Sequence, residues 1–257
     1  MPNHVSHKIE ISPKCTNLAE ALEAVTTLGQ NEKEETNFFD FNKLIPEPEE
    51  LSIICHPHAV VSLAYYLTER GTQTLSHVDL WRYDPSDFSK ADYNQTMDSL
   101  REVMAQYDKY GRITENPDPK YHYYFALPET LDALYQSGKA VVSLRTKYKF
   151  KNWHDTHCTI WGTKWNSYST ARHDTGVVFD TAWSSPKPVI NEFARKFNLT
   201  MTVKAFDEGH NFWLIHQYEN GVITEVRDSL EEDKAELYFD IYGYALDDGE
   251  DEMIVIP

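Results

Sequence analysis

The clearest pattern of hydrophobic and polar positions lies in the last third of the chain. Four segments have the alternating or apolar character of strands: residues 176–183, 199–205, 210–218 and 222–227. Asn220-Gly221, between the last two, is a strong signal for a two-residue hairpin. Val189, Phe193 and Phe197 recur every four residues and predict a helix. It would begin at Ser184-Ser185-Pro186, with a serine as cap and the proline in the first turn.

The order of these elements indicates the fold. With a final helix predicted at 230–242, the order is β-α-β-β-β-α, which holds most of a split βαβ unit. We therefore predict an α+β protein whose C-terminal ferredoxin-like antiparallel sheet carries its helices on one face and packs on an N-terminal α+β region. Residues 1–150 would form that region, of unknown function. Residues 151–257 would form the ferredoxin-like domain with an acidic C-terminal segment.

The N-terminal half gives weaker signals. The alternation of Val5, His7, Ile9 and Ile11 with polar residues predicts a strand. Asn17 and Glu20 form a capping-box pattern and predict a helix that Gly29 ends, followed by a loop at 30–36. Further along we predict helices at 60–67, 93–108 and 128–136 (the last closed by Gly138), a turn at 116–119, and a strand or buried helical segment at 75–83.

A tryptophan motif is the most distinctive feature. Trp153, His157, Trp161 and Trp165 are spaced by four, which places them on one face of a helix. Gly162 weakens such a helix by about 1 kcal/mol relative to alanine, so the tryptophans would straddle its end. Two interpretations stay open. Trp153, Trp161, Lys164 and Trp165 could form a recognition surface, or the rings could form an aromatic plug between the two halves, which large aromatic residues at helical spacing favour.

Composition narrows the class of protein. The chain has 257 residues, 41% of them hydrophobic, which is enough for a packed core. It contains no apolar run of the roughly 18–20 residues that a bilayer span needs. We expect no secretory signal, because the first residues include neither a basic region nor an apolar stretch. Cys15, Cys55 and Cys158 are odd in number and widely spaced, which indicates reduced thiols. We expect a cytoplasmic protein.

Charge indicates the kind of partner. The net charge is −17, which disfavours nucleic-acid phosphates and anionic membranes and favours basic proteins. Residues 228–252 hold eleven acidic residues and one basic residue, so this stretch supplies −10 of the total. It is either a solvated face or a surface that docks on a basic groove. The candidate contacts are Glu231, Glu232, Asp233, Asp247, Asp248, Glu250, Asp251 and Glu252.

Four motifs together resemble a known family. They are MPNHVSHKIEI, FDFNKLIPEPEEL, NWHDTHCTIWGTKWNSYS and FDTAWSSPKPVI, within residues 1–60 and 145–227. In this order they resemble uncharacterised phage and plasmid proteins that end in a YubB-type ferredoxin-like domain. The resemblance implies a mobile-element accessory protein in the cytoplasm of a bacterial host. It implies no catalytic residues.

The cysteine and histidine residues give a metal or nucleophile hypothesis. Zinc accepts such ligands in tetrahedral sets, but no paired-cysteine or HExxH pattern is present, so we predict no metal and no cofactor. The weak candidates are Cys55, His56, His58, His154, His157 and Cys158. Cys55 beside two histidines is the only local arrangement that resembles an activated nucleophile.

Two further features have ordinary interpretations. Asp180, inside an apolar strand, is expected to accept hydrogen bonds from the serine-rich helix start. Residues 147–151, KYKFK, have a pattern that can grip single-stranded nucleic acid, but the segment is too short to offset the global negative charge.

These observations favour a non-enzymatic mobile-element accessory protein that acts by binding another protein. The more specific version is an inhibitor of a host defence system that presents an acidic, DNA-mimicking surface. Its partner would be a basic host protein, a nucleic-acid-binding defence component. Direct contact with nucleic acid or membrane is not expected, and the oligomeric state stays open. The alternative is a metal-dependent enzyme or zinc-binding protein that uses the cysteines and histidines named above.

Overall fold

The computed structural model describes residues 3–31, 34–70, 73, 90–114, 117–121 and 126–246. It divides the chain into two compact units. One unit combines residues 1–46 with 157–257, and the other is residues 47–156. This differs from the predicted division at residue 150, because the N-terminal strand pairs on both sides with strands from the C-terminal third.

An antiparallel sheet is the centre of the first unit. Its strands are β1 (His4–Ile11), β2 (Thr26–Asn31), β3 (Glu34–Phe39), β4 (Tyr168–His173), β5 (Gly176–Ala182), β6 (Met201–Asp207), β7 (Trp213–Glu219) and β8 (Val222–Asp228). The spatial order is β2-β3-β4-β5-β1-β6-β7-β8. The β2–β3 hairpin joins the other six strands at a single paired position, Asn37 with Thr170. The α+β class is confirmed.

Two helices cover one face of this sheet. They are α1 (Leu18–Val25) and α7 (Lys187–Lys196). Alternate residues of the strands meet them in one core, where Val5 and Ile9 of β1 and Phe193 of α7 are fully buried. Burial of such side chains contributes about 1.5–3 kcal/mol each, so this core makes a large contribution to the stability of the unit.

The opposite face carries a third helix, α8 (Glu231–Tyr242). Leu237 packs there against Phe206 and Ile215, whose side chains point away from the first core. Asp240 of α8 accepts hydrogen bonds from Lys8 (2.7 Å) and Lys204 (2.8 Å) on the strands below. The helices therefore do not all lie on one face as predicted, because Phe206 of β6 and Trp213 and Ile215 of β7 form a small apolar cluster on the second face.

Several local predictions in this unit need correction. Asn17 precedes α1, but its side chain does not cap the helix and instead donates to the carbonyl of Phe197. The helix ends at Val25, four residues before Gly29, and residues 26–31 continue as β2. Likewise, the serines before α7 do not cap it: Ser184 Oγ donates to the Gly162 carbonyl at 2.7 Å. Strand β4 was not predicted.

The Asn220-Gly221 hairpin is confirmed. Both residues have positive φ, 48° and 78°, as a type I′ turn requires. The turn joins β7 to β8.

The second unit is built mainly of helices among its described residues. They are α2 (Glu50–Ile53), α3 (Ala59–Leu67), α4 (Lys90–Met104), α5 (Leu131–Ser143) and the first four residues of α6 (Trp153–Ile160). Gly138 does not end α5. It lies inside the helix, where a Cβ atom would come within 2.0 Å of the Ser62 carbonyl oxygen of α3. Residues 75–83 and part of the turn at 116–119 lie outside the described residues.

Candidate functional site

Trp161 belongs to the core. It follows α6, and its ring is 2% exposed. The indole Nε1 donates to the Ile45 carbonyl at 2.9 Å, and the His157 ring stacks on the indole at 4.2 Å. The helix ends just before Gly162, whose φ of +80° favours glycine. As predicted, the helix ends near Gly162, between the tryptophans of the motif. Trp161 does not lie on a surface.

Trp153 also packs in a core, that of the unit formed by residues 47–156. It is partly buried against the cluster that contains Leu63, Leu134 and Leu144. Two of the four predicted recognition residues, Trp153 and Trp161, thus stabilise their own units. No described contact tests the interpretation of the motif as a plug, which stays a prediction.

Lys164, Trp165 and Trp183 form an exposed group that we call the indole pair. The indoles of Trp165 and Trp183 are 38% and 47% exposed. The Lys164 ammonium lies over both rings, 4.5 Å from the Trp165 centroid and 4.4 Å from that of Trp183. Indole faces attract cations through their quadrupole, worth about 0.5–1 kcal/mol at exposed positions. Lys164 and Trp165 were predicted as contacts from the sequence, whereas a surface position of Trp183 was not predicted.

Trp183 has an unfavourable backbone conformation. Its φ is +70°, in the left-handed region that costs a bulky residue about 1–3 kcal/mol. The backbone N–H of Trp183 donates to the Asn3 carbonyl at 2.9 Å, which fixes the loop after β5. Glycine would occupy this position without strain, so the presence of a half-exposed indole needs a reason other than stability.

The predicted acidic contacts are largely paired where they are described. Asp233 lies 2.7 Å from Arg227, and Glu231 lies 3.6 Å from Lys234. Glu232 is exposed in the first turn of α8. Asp247, Asp248, Glu250, Asp251 and Glu252 lie outside the described residues. The described part of this stretch is therefore less negative to a partner than its composition indicates.

The metal hypothesis has no site among the described residues, where no three His, Cys, Asp or Glu side chains are grouped so that they could hold a metal ion. Burial raises the pKa of the Cys55 thiol, which disfavours the thiolate that ligation and nucleophilic attack need. His56 Nε2 lies 3.1 Å from the Leu51 carbonyl, and His58 is buried beside Tyr121. His157 Nδ1 lies 2.9 Å from the Lys164 carbonyl. His154 and Cys158 are exposed positions of α6.

The hydrogen-bond partner predicted for Asp180 also changes. Asp180 accepts a hydrogen bond from Ser6 Oγ at 2.8 Å, not from the serines before α7. In the KYKFK segment, Lys147 donates to the Tyr148 hydroxyl at 2.7 Å. Neither arrangement indicates a catalytic group or a groove for nucleic acid.

A cavity of about 370 Å³ lies at the N-terminal end of α7, and sequence reasoning missed it. Its walls include the aromatic residues Phe212 and Trp213 together with polar residues. Lys187 Nζ lies 2.9 Å from Asp228, whose other carboxylate oxygen lies 2.6 Å from His216 Nε2. Partial burial raises the pKa of Asp228, but these two hydrogen bonds outweigh it and the net shift is downward. The three residues come from α7, β7 and β8, so no sequence spacing signals them.

Ser185, on the wall of the same cavity, has the appearance of an activated serine. His7 Nε2 lies 3.0 Å from its Oγ. However, burial lowers the pKa of His7 to about 3, and the buried Nδ1 has no hydrogen-bond partner among the described residues. A general base works best with a pKa near the operating pH. This imidazole is therefore a poor base, and the pair is a structural hydrogen bond.

Comparison with known proteins agrees with the sheet architecture. Residues 160–254 match the family described as a ferredoxin-like domain in Api92-like protein. This part of the chain is a ferredoxin-like domain. The prediction of such a C-terminal domain is thus confirmed, and the N-terminal strand β1 completes its sheet from outside the matched range.

Two further comparisons complete the result. The crystal structure of protein api92 from Yersinia pseudotuberculosis aligns with a TM-score of 0.38 and 11% identity, over 89% of this chain and 98% of that one. No curated protein matches the chain by sequence. Within the described residues, none of the helices combines the length and apolar character that crossing a bilayer requires.

Proposed function

We propose that this chain is a non-enzymatic protein that acts by binding a basic protein partner, with the indole pair as its contact. The observation that carries the proposal is Trp183, a bulky residue held at φ +70° with 47% of its surface exposed. Strain of this kind is retained where the side chain serves a purpose outside the fold.

The chemistry of the indole pair suits a cationic side chain of a partner. Trp165 and Trp183 already hold one ammonium, that of Lys164. A guanidinium stacks on indole more favourably than an ammonium does, so a partner's arginine can compete for these rings. Exposed tryptophans are also frequent hot spots in protein interfaces. The net charge of −17 would accelerate encounter with a basic partner.

The finer version of the proposal is an accessory protein of a phage or plasmid that blocks a host defence component in the bacterial cytoplasm. Its support is the resemblance of the four sequence motifs to the YubB-type family, together with the net charge. The DNA-mimicking version needs unpaired carboxylates. In the described structure it rests mainly on Glu232, since Glu231 and Asp233 have basic neighbours.

The test is affinity capture from host lysate with wild-type protein, Trp183→Gly and Trp165→Ala as baits. We expect a small set of basic proteins that the wild type retains and both variants lose. Phe239→Ala is the matched control, since Phe239 is an aromatic residue of the same unit and is 58% exposed. Partners that all four baits retain equally would contradict the proposal, as would capture of no protein at both low and moderate salt.

Stability separates a binding role from a structural one. In Trp183→Gly, relief of about 1–3 kcal/mol of strain opposes the loss of indole contacts and the entropy of glycine, which cost about 1 kcal/mol each. We therefore expect the free energy of unfolding to change by less than about 1 kcal/mol. A structural tryptophan would cost about 3–5 kcal/mol when truncated, and such a loss would remove the argument from strain.

A further inference from the structure

Strand β8 ends the sheet on one side. Within the described chain it pairs with β7, and the strand order ends there. Its aliphatic side chains are exposed, Val222 by 63%, Ile223 by 39% and Val226 by 57%. Natural edge strands are normally protected, and one that is apolar and accessible is a site for adding another strand.

The sequence of β8 is complementary to itself. In antiparallel pairing about a two-fold axis perpendicular to the sheet, opposed residues share a face, so the axis must pass beside one residue. With Val226 at the axis, Val226 faces its counterpart, and Glu225 of each chain faces Arg227 of the other. Glu225 and Arg227 of each chain therefore both meet an opposite charge.

Neighbouring registers are less favourable. With Glu225 at the axis two carboxylates oppose each other, and with Arg227 there two guanidinium groups do. Like charges directly opposed across strands are destabilising. The pattern of charges therefore selects the register centred on Val226.

The geometry within one chain is compatible with this pairing. Arg227 lies 3.3 Å from Glu225 of its own strand and 2.7 Å from Asp233. A guanidinium has five N–H donors, so it can serve a further carboxylate. Thr224 is an extra residue opposite β7, which places Ile223 and Val226 on the same face. That irregularity limits the register argument to residues 225–228.

We propose that a second copy of this chain adds to the sheet through β8, antiparallel, with Val226 at the two-fold axis. One strand per chain gives a small interface, so the association should be weak, with Kd of about micromolar order or above. The net charge of −17 on each chain opposes it. Salt of about 0.3 M screens that repulsion at distances beyond about 6 Å, so association is measured at this salt concentration.

The experiment uses the full chain carrying Cys158→Ser, since Cys158 is exposed. Val226→Cys is added in one variant and Thr224→Cys in its matched control. A thiol cross-linker that spans about 8 Å should join two Val226→Cys chains. In the proposed register the two Thr224 positions lie about 14 Å apart along the strands, so the control should stay uncrosslinked. The Cys158→Ser protein alone gives the background from Cys15 and Cys55.

Sedimentation velocity of uncrosslinked protein supplies the second measurement. Val226→Lys places two ammonium groups at the axis, and we expect it to weaken dimerisation at least 10-fold, with unchanged circular dichroism. A wild-type chain that is monomeric at about 200 μM would overturn the proposal and leave the edge to a different partner. Cross-linking of Thr224→Cys but not Val226→Cys would overturn the register.

Discussion

His7 should make the stability of the sheet unit depend on pH. The imidazole is 2% exposed, stacks on Phe179 at 4.7 Å, and has its pKa lowered from 6.5 to about 3 by burial. In the unfolded chain it titrates near its usual value. Between about pH 3 and pH 6.5 the unfolded state therefore binds a proton that the folded state does not, so stability falls as the pH falls through this range.

The size of the effect follows from linkage. At pH 8 both states are neutral and the contribution is close to zero. At pH 5 protonation stabilises the unfolded state by about 2 kcal/mol, while the folded state stays neutral. His7→Phe keeps an aromatic ring beside Phe179 and removes the titration. The variant should therefore lose about 2 kcal/mol less stability than the wild type between pH 8 and pH 5.

Urea unfolding followed by tryptophan fluorescence measures this difference. The comparison is made between variants, so carboxylates that titrate in both proteins cancel. Phe179→Leu is the control, because it weakens the packing around His7 but leaves the imidazole buried; it should lower stability at every pH and keep the wild-type slope. Between pH 8 and pH 5 the free energy of unfolding falls in both proteins. If the two losses differ by less than about 0.5 kcal/mol between wild type and His7→Phe, His7 is not held neutral by burial.

Three further predictions test other parts of the fold. Gly138→Ala should cost at least about 2 kcal/mol, because its Cβ would lie 2.0 Å from the Ser62 carbonyl oxygen; hydrogen exchange should rise in α3 and α5 and stay unchanged in the sheet. Trp161→Ala should cost about 3–5 kcal/mol, with faster exchange in the sheet unit, whereas unchanged exchange there would contradict its assignment to that core. Asp240→Asn should cost about 1–2 kcal/mol at neutral pH. Partial burial raises the pKa of Asp240, but hydrogen bonds from Lys204 and Lys8 lower it more. The stabilisation by ionised Asp240 is therefore present above the ordinary carboxyl pKa and is lost as the pH falls through the lowered pKa of the folded state. Urea unfolding of Asp240→Asn should not show this loss.

The function and the dimer proposal can fail independently. The indole pair lies on the loops that contain residues 164–165 and 183, whereas the proposed dimer edge is β8. Val226→Lys should leave capture of the partner unchanged, and Trp183→Gly should leave dimerisation unchanged. A variant that abolishes both would indicate unfolding, which circular dichroism detects.

Local sequence was sufficient to predict most elements of the C-terminal third. Strands β5 to β8, helices α7 and α8 and the Asn220-Gly221 hairpin follow from periodicity and turn chemistry, which act over a few residues. The same reasoning failed for Gly138 and Asn17. Glycine often ends a helix, but α5 continues through Gly138. The glycine is needed there because α3 lies so close to α5 that a side chain would not fit. The Asn17 side chain bonds a distant carbonyl, that of Phe197, in place of its own helix.

Tertiary structure decided which residues share a face or a site. Periodicity shows that a strand has an apolar face, but it does not show which strands are neighbours, so the insertion of β1 between β5 and β6 was not predictable. The same limit applies to the grouping of Trp183 with Trp165 around Lys164 and of Lys187 and His216 around Asp228. The sequence determined composition, charge and local conformation, because these depend on residues close in the chain. Long-range pairing decided exposure, strain and pKa, because these depend on atoms that only the folded chain brings together.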